Sequence, residues 1–113
     1  FRMDGKGVFR LAAEHLPAFV DRLLASAGLG RDRLDWIVPH QASHLALAHL
    51  TRRLGFARKK VVDIFAEHGN QVAASLPTAL DIAIRDGRIR RGDKVLLLGT
   101  GAGLSLGGVV MEY

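Results

Sequence analysis

Stretches with three- and four-residue apolar spacing alternate with short continuous apolar runs along almost all of this chain, and that alternation leaves few folds open. Val8, Leu11, Ala12, Leu16, Phe19, Val20, Leu23, Leu24 and Ala27 predict an amphipathic helix over 8–27. Pro17 removes one of its backbone hydrogen bonds and is expected to kink it, and Gly28 ends it. Asp35 to Val38, closed by Pro39, reads as a buried strand. Ala42, Ala46, Leu47, Leu50 and Leu54 predict a second helix over 41–54, stopped by Gly55, and Val61 to Phe65 is a second strand candidate. After Gly69-Asn70, a third helix is expected from Ala73 to Arg85 with Leu76, Leu80, Ala83 and Ile84 on its inner face. Lys94 to Leu98 is a strongly apolar strand, Gly99 to Gly103 a glycine-rich turn, and a last strand ends at Val109-Val110-Met111. The order helix, strand, helix, strand, helix, strand, strand predicts an α/β fold with helices on a mixed sheet, parallel at first and closed by an antiparallel hairpin. A sheet of crossover units ordinarily starts on a strand. This chain starts on a helix, so its first strand is expected to be missing.

The 113 residues, 49% hydrophobic and 24% charged, suit one globular domain and argue against disorder. No apolar run approaches the roughly 20 residues of a membrane-spanning helix, and no signal-peptide pattern opens the chain, which predicts a cytoplasmic protein without a membrane partner. There is no cysteine, which excludes a disulfide, a thiolate metal site and a thiol nucleophile within these residues. A net charge of +5 points to an acidic partner: nucleic acid, anionic lipid or an acidic protein. The opening Phe1-Arg2-Met3 reads as part of something longer.

His40, in Val38-Pro39-His40-Gln41-Ala42-Ser43-His44, falls at the carboxyl end of a strand, the edge where open α/β sheets bind ligands. A histidine satisfied at a helix N-terminus is the plainer reading. The four-residue step to His44 resembles a zinc pair, but no Glu or cysteine completes it, and no metal site is expected. His68-Gly69-Asn70 also follows a strand and precedes a helix. Gly-Asn is a good turn by itself, yet adjacent crossover units bring Asn70 to the same sheet edge as His40, where two neutral donors can face one developing oxyanion. The glycine-rich turn lacks the following helix and the distant acidic residue of a dinucleotide fingerprint; its backbone N–H groups instead suit an oxyanion hole. Arg52, Arg53, Arg58, Lys59 and Lys60 form one basic cluster, and Arg85, Arg88, Arg90, Arg91 and Lys94 another. Only Phe56 interleaves with them, which argues against nucleic acid.

Together, Val-Pro-His40-Gln-Ala, then His-Gly-Asn70 with Ala-Ala-Ser-x-Pro-x-Ala-Leu behind it, resemble the C-terminal half of the β-ketoacyl-acyl carrier protein synthase III family. Met3-Asp4-Gly5 before Val8-Phe9, Asp86-Gly87-Arg88-Ile89, Val95 to Leu98 and Gly101-Ala102-Gly103 continue the likeness across essentially all 113 residues. The resemblance implies a thiolase-like half domain, residues 1–113 of a longer enzyme, whose absent first strand would sit in the middle of a five-stranded sheet. It implies a condensing acyltransferase of fatty acid biosynthesis that loads an acyl group from acyl-CoA onto a cysteine in the N-terminal half. Condensation with malonyl-acyl carrier protein then releases carbon dioxide. His40 and Asn70 would be the histidine and asparagine of a Cys-His-Asn triad, and the Gly101, Ala102, Gly103 turn would supply an oxyanion N–H. Gln41, Ala42 and Thr100 would contribute weaker substrate or carrier contacts. No cofactor is implied. The partners implied are acyl-CoA, an acidic acyl carrier protein, the N-terminal half and, at full length, a second copy. These residues alone are expected to be inactive. Thr100 stands where the family often has an aromatic residue, and Leu45 where a basic residue associated with carrier docking is frequent. A synthase III-like acyltransferase of secondary metabolism and a basic nucleic-acid-binding module are the competing readings.

Overall fold

The helix predicted from residue 8 onward begins three residues earlier. Helix α1 runs Gly5–Ala27, because the Asp4 carboxylate accepts from the Gly7 N–H at 3.0 Å and caps its first turn. Gly28, at φ 64°, closes it in the left-handed conformation that glycine adopts without strain. Pro17 lies within α1 and does not end it. Strand β1 (Trp36–Pro39) is followed by α2 (His44–Leu54), capped by the Ser43 hydroxyl on the Ala46 N–H at 3.0 Å. A one-turn helix α3 (Phe65–His68), helix α4 (Ser75–Arg85), and strands β2 (Lys94–Gly101) and β3 (Ser105–Glu112) complete the order. The computed structural model describes residues 4–101 and 105–113. Among them, no helix is long and apolar enough to cross a membrane.

The strands form one mixed sheet in the order β1-β2-β3, β1 parallel to β2 and β2 antiparallel to β3. Register follows the period-2 alternation of the side chains. Ile37 lies beside Leu96 and Val38 beside Leu97. Ile37, Leu96 and Leu98 join Leu16, Val20 and Leu24 of α1 and Leu54 of α2 in one core; Val38 and Val95 join Ala79 and Ala83 of α4 in the other. The result is three layers, with α1 and α2 on one face and α4 on the opposite face. Beyond α4, the Arg88 guanidinium hydrogen-bonds Asp86 and holds that carboxyl below its usual range.

Three expectations change here. First, β1 and β2 pair directly, so the sheet has no vacancy in its middle for a missing strand; both are continuous apolar runs, buried on the two faces of the sheet. Secondly, Val61 to Phe65 does not form a strand. Only Val61 bridges Ile37, with the Val62 N–H donating to the Ile37 carbonyl at 2.9 Å, and from Phe65 the chain is already helical. The next rung would need an N–H at position 39, and Pro39 has none. Thirdly, β2 continues through Gly99 and Thr100 to Gly101, paired with β3 through Gly99–Gly107, Thr100–Leu106 and Gly101–Ser105. The glycine-rich segment is therefore strand at least to Gly101, while Ala102 and Gly103 lie outside the described residues.

Candidate functional site

His40 leaves the carboxyl end of β1 with its N–H still donating to the Leu98 carbonyl of β2 at 2.8 Å, so its backbone is fixed by the sheet. The i, i+4 step to His44 is not a helix-face pair, because α2 begins only at His44. His44 is exposed, 4.0 Å from Asp63 and edge-on to the Phe65 ring. Among the described residues, no three potential metal ligands cluster.

Asn70 arrives at the same edge from α3 through Gly69, whose φ of 64° with ψ of −164° is a conformation reserved for glycine. Its amide oxygen accepts from the Val72 N–H at 2.8 Å, and its Nδ2 reaches the Ala42 carbonyl at 3.5 Å. Val72 has a φ of 54°, the only non-glycine residue with positive φ among those described, and its side chain is exposed. The buried Ser75 hydroxyl accepts from the Gln71 N–H at 3.0 Å and ties the loop to the start of α4.

His40 and Asn70 line one cavity of about 340 Å³, together with Ala42, Thr100 and Gly101. Its remaining wall is largely apolar: Val8, Ala12 and Leu16 of α1 face Ala46, Leu47 and Leu50 of α2. Partial burial lowers the His40 pKa from its usual 6.5. At neutral pH the imidazole is therefore uncharged, with one N–H to donate. The arrangement offers two neutral donors in one largely apolar cavity, which suits a carbonyl oxygen that gains charge during a reaction.

The cavity thus gathers His40, Asn70, Ala42, Thr100 and Gly101, as the sequence pattern grouped them. Gln41 does not join them. It is fully buried, and its amide is held by the Pro39 and Val62 carbonyls and the Ile64 N–H, so the expected substrate or carrier contact is replaced by an internal one. The apolar wall from α1 and α2 was not singled out in the sequence, although Ala12 and Ala46, small residues on otherwise bulky stripes, were the available signal. Leu45, the departure from a basic residue, is 83% exposed on the first turn of α2, next to the wall residue Ala46.

Comparison with known proteins gives this geometry a family. The family model described as 3-oxoacyl-[acyl-carrier-protein (ACP)] synthase III C terminal matches residues 24–113. The β-ketoacyl-[acyl-carrier-protein] synthase III of Neisseria gonorrhoeae is 43% identical over 111 residues, covering 98% of this chain and 35% of that protein. The crystal structure of 3-oxoacyl-(acyl carrier protein) synthase III from Pseudomonas aeruginosa superposes with a TM-score of 0.92 at 42% identity, covering all of this chain and 36% of that one. The Aquifex aeolicus synthase III superposes at 0.93 with 33% identity, over 99% of this chain and 36% of its own. The chain spans about a third of the length of the relatives it matches. It belongs, as the thiolase-like C-terminal portion, to the β-ketoacyl-acyl carrier protein synthase III family.

Proposed function

We propose that residues 1–113 are the C-terminal domain of a β-ketoacyl-acyl carrier protein synthase III, a cytoplasmic condensing acyltransferase that initiates fatty acid biosynthesis. The observation that carries this reading is the shared cavity: His40 and Asn70, from different crossover units, line one largely apolar cavity. A cysteine outside these residues carries the acyl group, delivered from acyl-CoA as a thioester. The malonyl thioester of an acidic acyl carrier protein then enters. Its carboxylate leaves as carbon dioxide, and the bonding electrons move into an enolate whose oxygen accepts hydrogen bonds from the His40 imidazole and the Asn70 Nδ2. The enolate carbon attacks the acyl thioester, and the cysteine thiolate departs. Neutral donors fit this step. A cationic imidazole would also bind the starting carboxylate, whereas a neutral N–H gains most as negative charge builds on the oxygen. Backbone N–H groups of the Gly101 to Gly103 segment pair with that of the cysteine to hold the tetrahedral oxyanion. Acyl-CoA and malonyl-acyl carrier protein are substrates, and no resident cofactor takes part. The N-terminal half and a second copy of the enzyme are the protein partners.

The test uses the full-length enzyme. His40→Ala and Asn70→Ala should each lower malonyl decarboxylation by about 10²–10³, the usual loss for one oxyanion donor, and affect cysteine acylation much less. A variant that decarboxylates malonyl thioester normally but no longer acylates its cysteine would assign the residue to the other half-reaction.

A further inference from the structure

The 61–64 segment is held beside β1 by a side chain where a peptide rung is missing. Along β1, alternate residues face opposite neighbours. Ile37 and Pro39 point toward 61–64, whereas the His40 N–H points toward Leu98 of β2. After the Val62 N–H to Ile37 carbonyl bond, the ladder requires a donor at position 39 for the Val62 carbonyl and then an Ile64 N–H for the Pro39 carbonyl. Proline supplies no donor, and the segment swings away. The Gln41 amide fills the gap. Its Nε2 donates to the Val62 carbonyl at 3.0 Å and to the Pro39 carbonyl at 2.9 Å, and its Oε1 accepts from the Ile64 N–H at 2.9 Å. One primary amide thus reproduces the donor and acceptor of the lost rung, fully buried. Of the natural side chains, only Asn and Gln carry both a two-proton donor and a carbonyl acceptor.

We propose that Gln41 is a positioning residue for the catalytic pair, fixing the separation between His40 and Asn70; this rests on the reading of those two residues given above. Gln41 is covalently next to His40, and it anchors Ile64, from which α3 leads directly to Gly69 and Asn70. At the far end of that segment, Asn70 Nδ2 returns to the Ala42 carbonyl. The chain from 64 to 70 is therefore pinned at both ends to 40–42, and Gln41 is the stronger, buried pin. Without it, three buried polar groups lose their partner, and the loop bearing Asn70 is free to shift against His40.

The experiment uses the full-length enzyme with Gln41→Glu, Gln41→Met and the double variant Pro39→Ala/Gln41→Met. Glutamate keeps the shape and the acceptor but removes the donor pair. Methionine removes both. Alanine at 39 restores a backbone N–H at the missing rung. We expect the Ile64 amide to exchange at least about tenfold faster in Gln41→Met, and malonyl decarboxylation to fall at least about tenfold. The KM for malonyl thioester and the rate of cysteine acylation should change less than about threefold, and the double variant should recover part of both losses. If either single variant fails to fold, the double variant and the other single variant carry the comparison. Equal losses in acylation and decarboxylation would reduce Gln41 to general stability and overturn the proposal, as would unchanged decarboxylation. No rescue by Pro39→Ala would overturn the missing-rung account. If wild-type enzyme shows no decarboxylation, the catalytic reading falls by itself. The positioning claim is then judged by the imidazole NMR signals of His40, which should move in Gln41→Met and return in the double variant; signals that stay in place would refute it.

Discussion

Two adjacent glycines in β3 offer a controlled measurement of how tightly α1 lies on the sheet. A Cβ built on Gly108 would sit 2.7 Å from Cδ2 of Leu23, 3.2 Å from the ring of Phe19 and 3.2 Å from the Leu97 carbonyl oxygen. Leu23 alone can rotate away, but the Leu97 carbonyl belongs to the backbone of the paired strand β2, and Phe19 packs on the core formed by Leu16, Leu96 and Leu98. The added methyl must therefore lift α1. At Gly107, on the opposite face, a Cβ meets nothing within 4 Å. Replacing glycine by alanine in a strand gains roughly 0.5–1 kcal/mol from reduced freedom of the unfolded chain. That gain is common to both sites, so the difference between the variants isolates the collision, which overpacking data put at about 1–3 kcal/mol. Gly107→Ala should be neutral to slightly stabilising, and Gly108→Ala clearly destabilising. In urea the two midpoints should separate by about 1 M, given a slope near 1–3 kcal/mol/M for a small domain. Because α1 carries Val8, Ala12 and Leu16 of the cavity wall, Gly108→Ala should also loosen that wall. Equal midpoints for the two variants would show that α1 does not bear on the sheet at Gly108.

Val72 holds a left-handed backbone conformation that costs a β-branched residue about 1–3 kcal/mol, and its exposed side chain returns little of it. Val72→Gly should raise the melting temperature by a few degrees, and a lower one would mean that the turn is not strained. Burial lowers the His40 pKa from 6.5, so below about pH 6.5 the unfolded chain binds the proton more readily than the folded one. The His40 contribution to stability is present above that pH and is lost as pH falls toward the depressed value. His40→Gln should accordingly lose less stability than wild type between about pH 7.5 and about pH 5.5, by urea denaturation at each pH; parallel profiles would contradict the half-buried imidazole. Finally, the 113 residues contain no thiol, so incubation with radiolabelled acyl-CoA should leave no covalent acyl-protein, and stable acylation would refute the need for a cysteine from elsewhere.

Local features of the chain were decided by the sequence because each depends on near neighbours. Apolar spacing placed α1, α2 and α4, and Gly28 and Gly55 stopped the helices where the backbone turns left-handed. The continuous apolar run of β2 matched its burial on both faces. His40 and Asn70 were legible as a pair because both follow β-type segments on crossover units, which topology carries to one edge. Tertiary structure decided what depends on distant partners. Val61 to Phe65 has the composition of a strand, yet pairing there needs an N–H from Pro39, which lies on a separate segment, before α2. Gln41 looked available to a ligand until the Val62 and Ile64 backbones took its amide. The closed middle of the sheet likewise follows from β1 lying directly on β2. Propensity and spacing act along the chain, whereas hydrogen-bond satisfaction in the interior is settled only when separate segments meet.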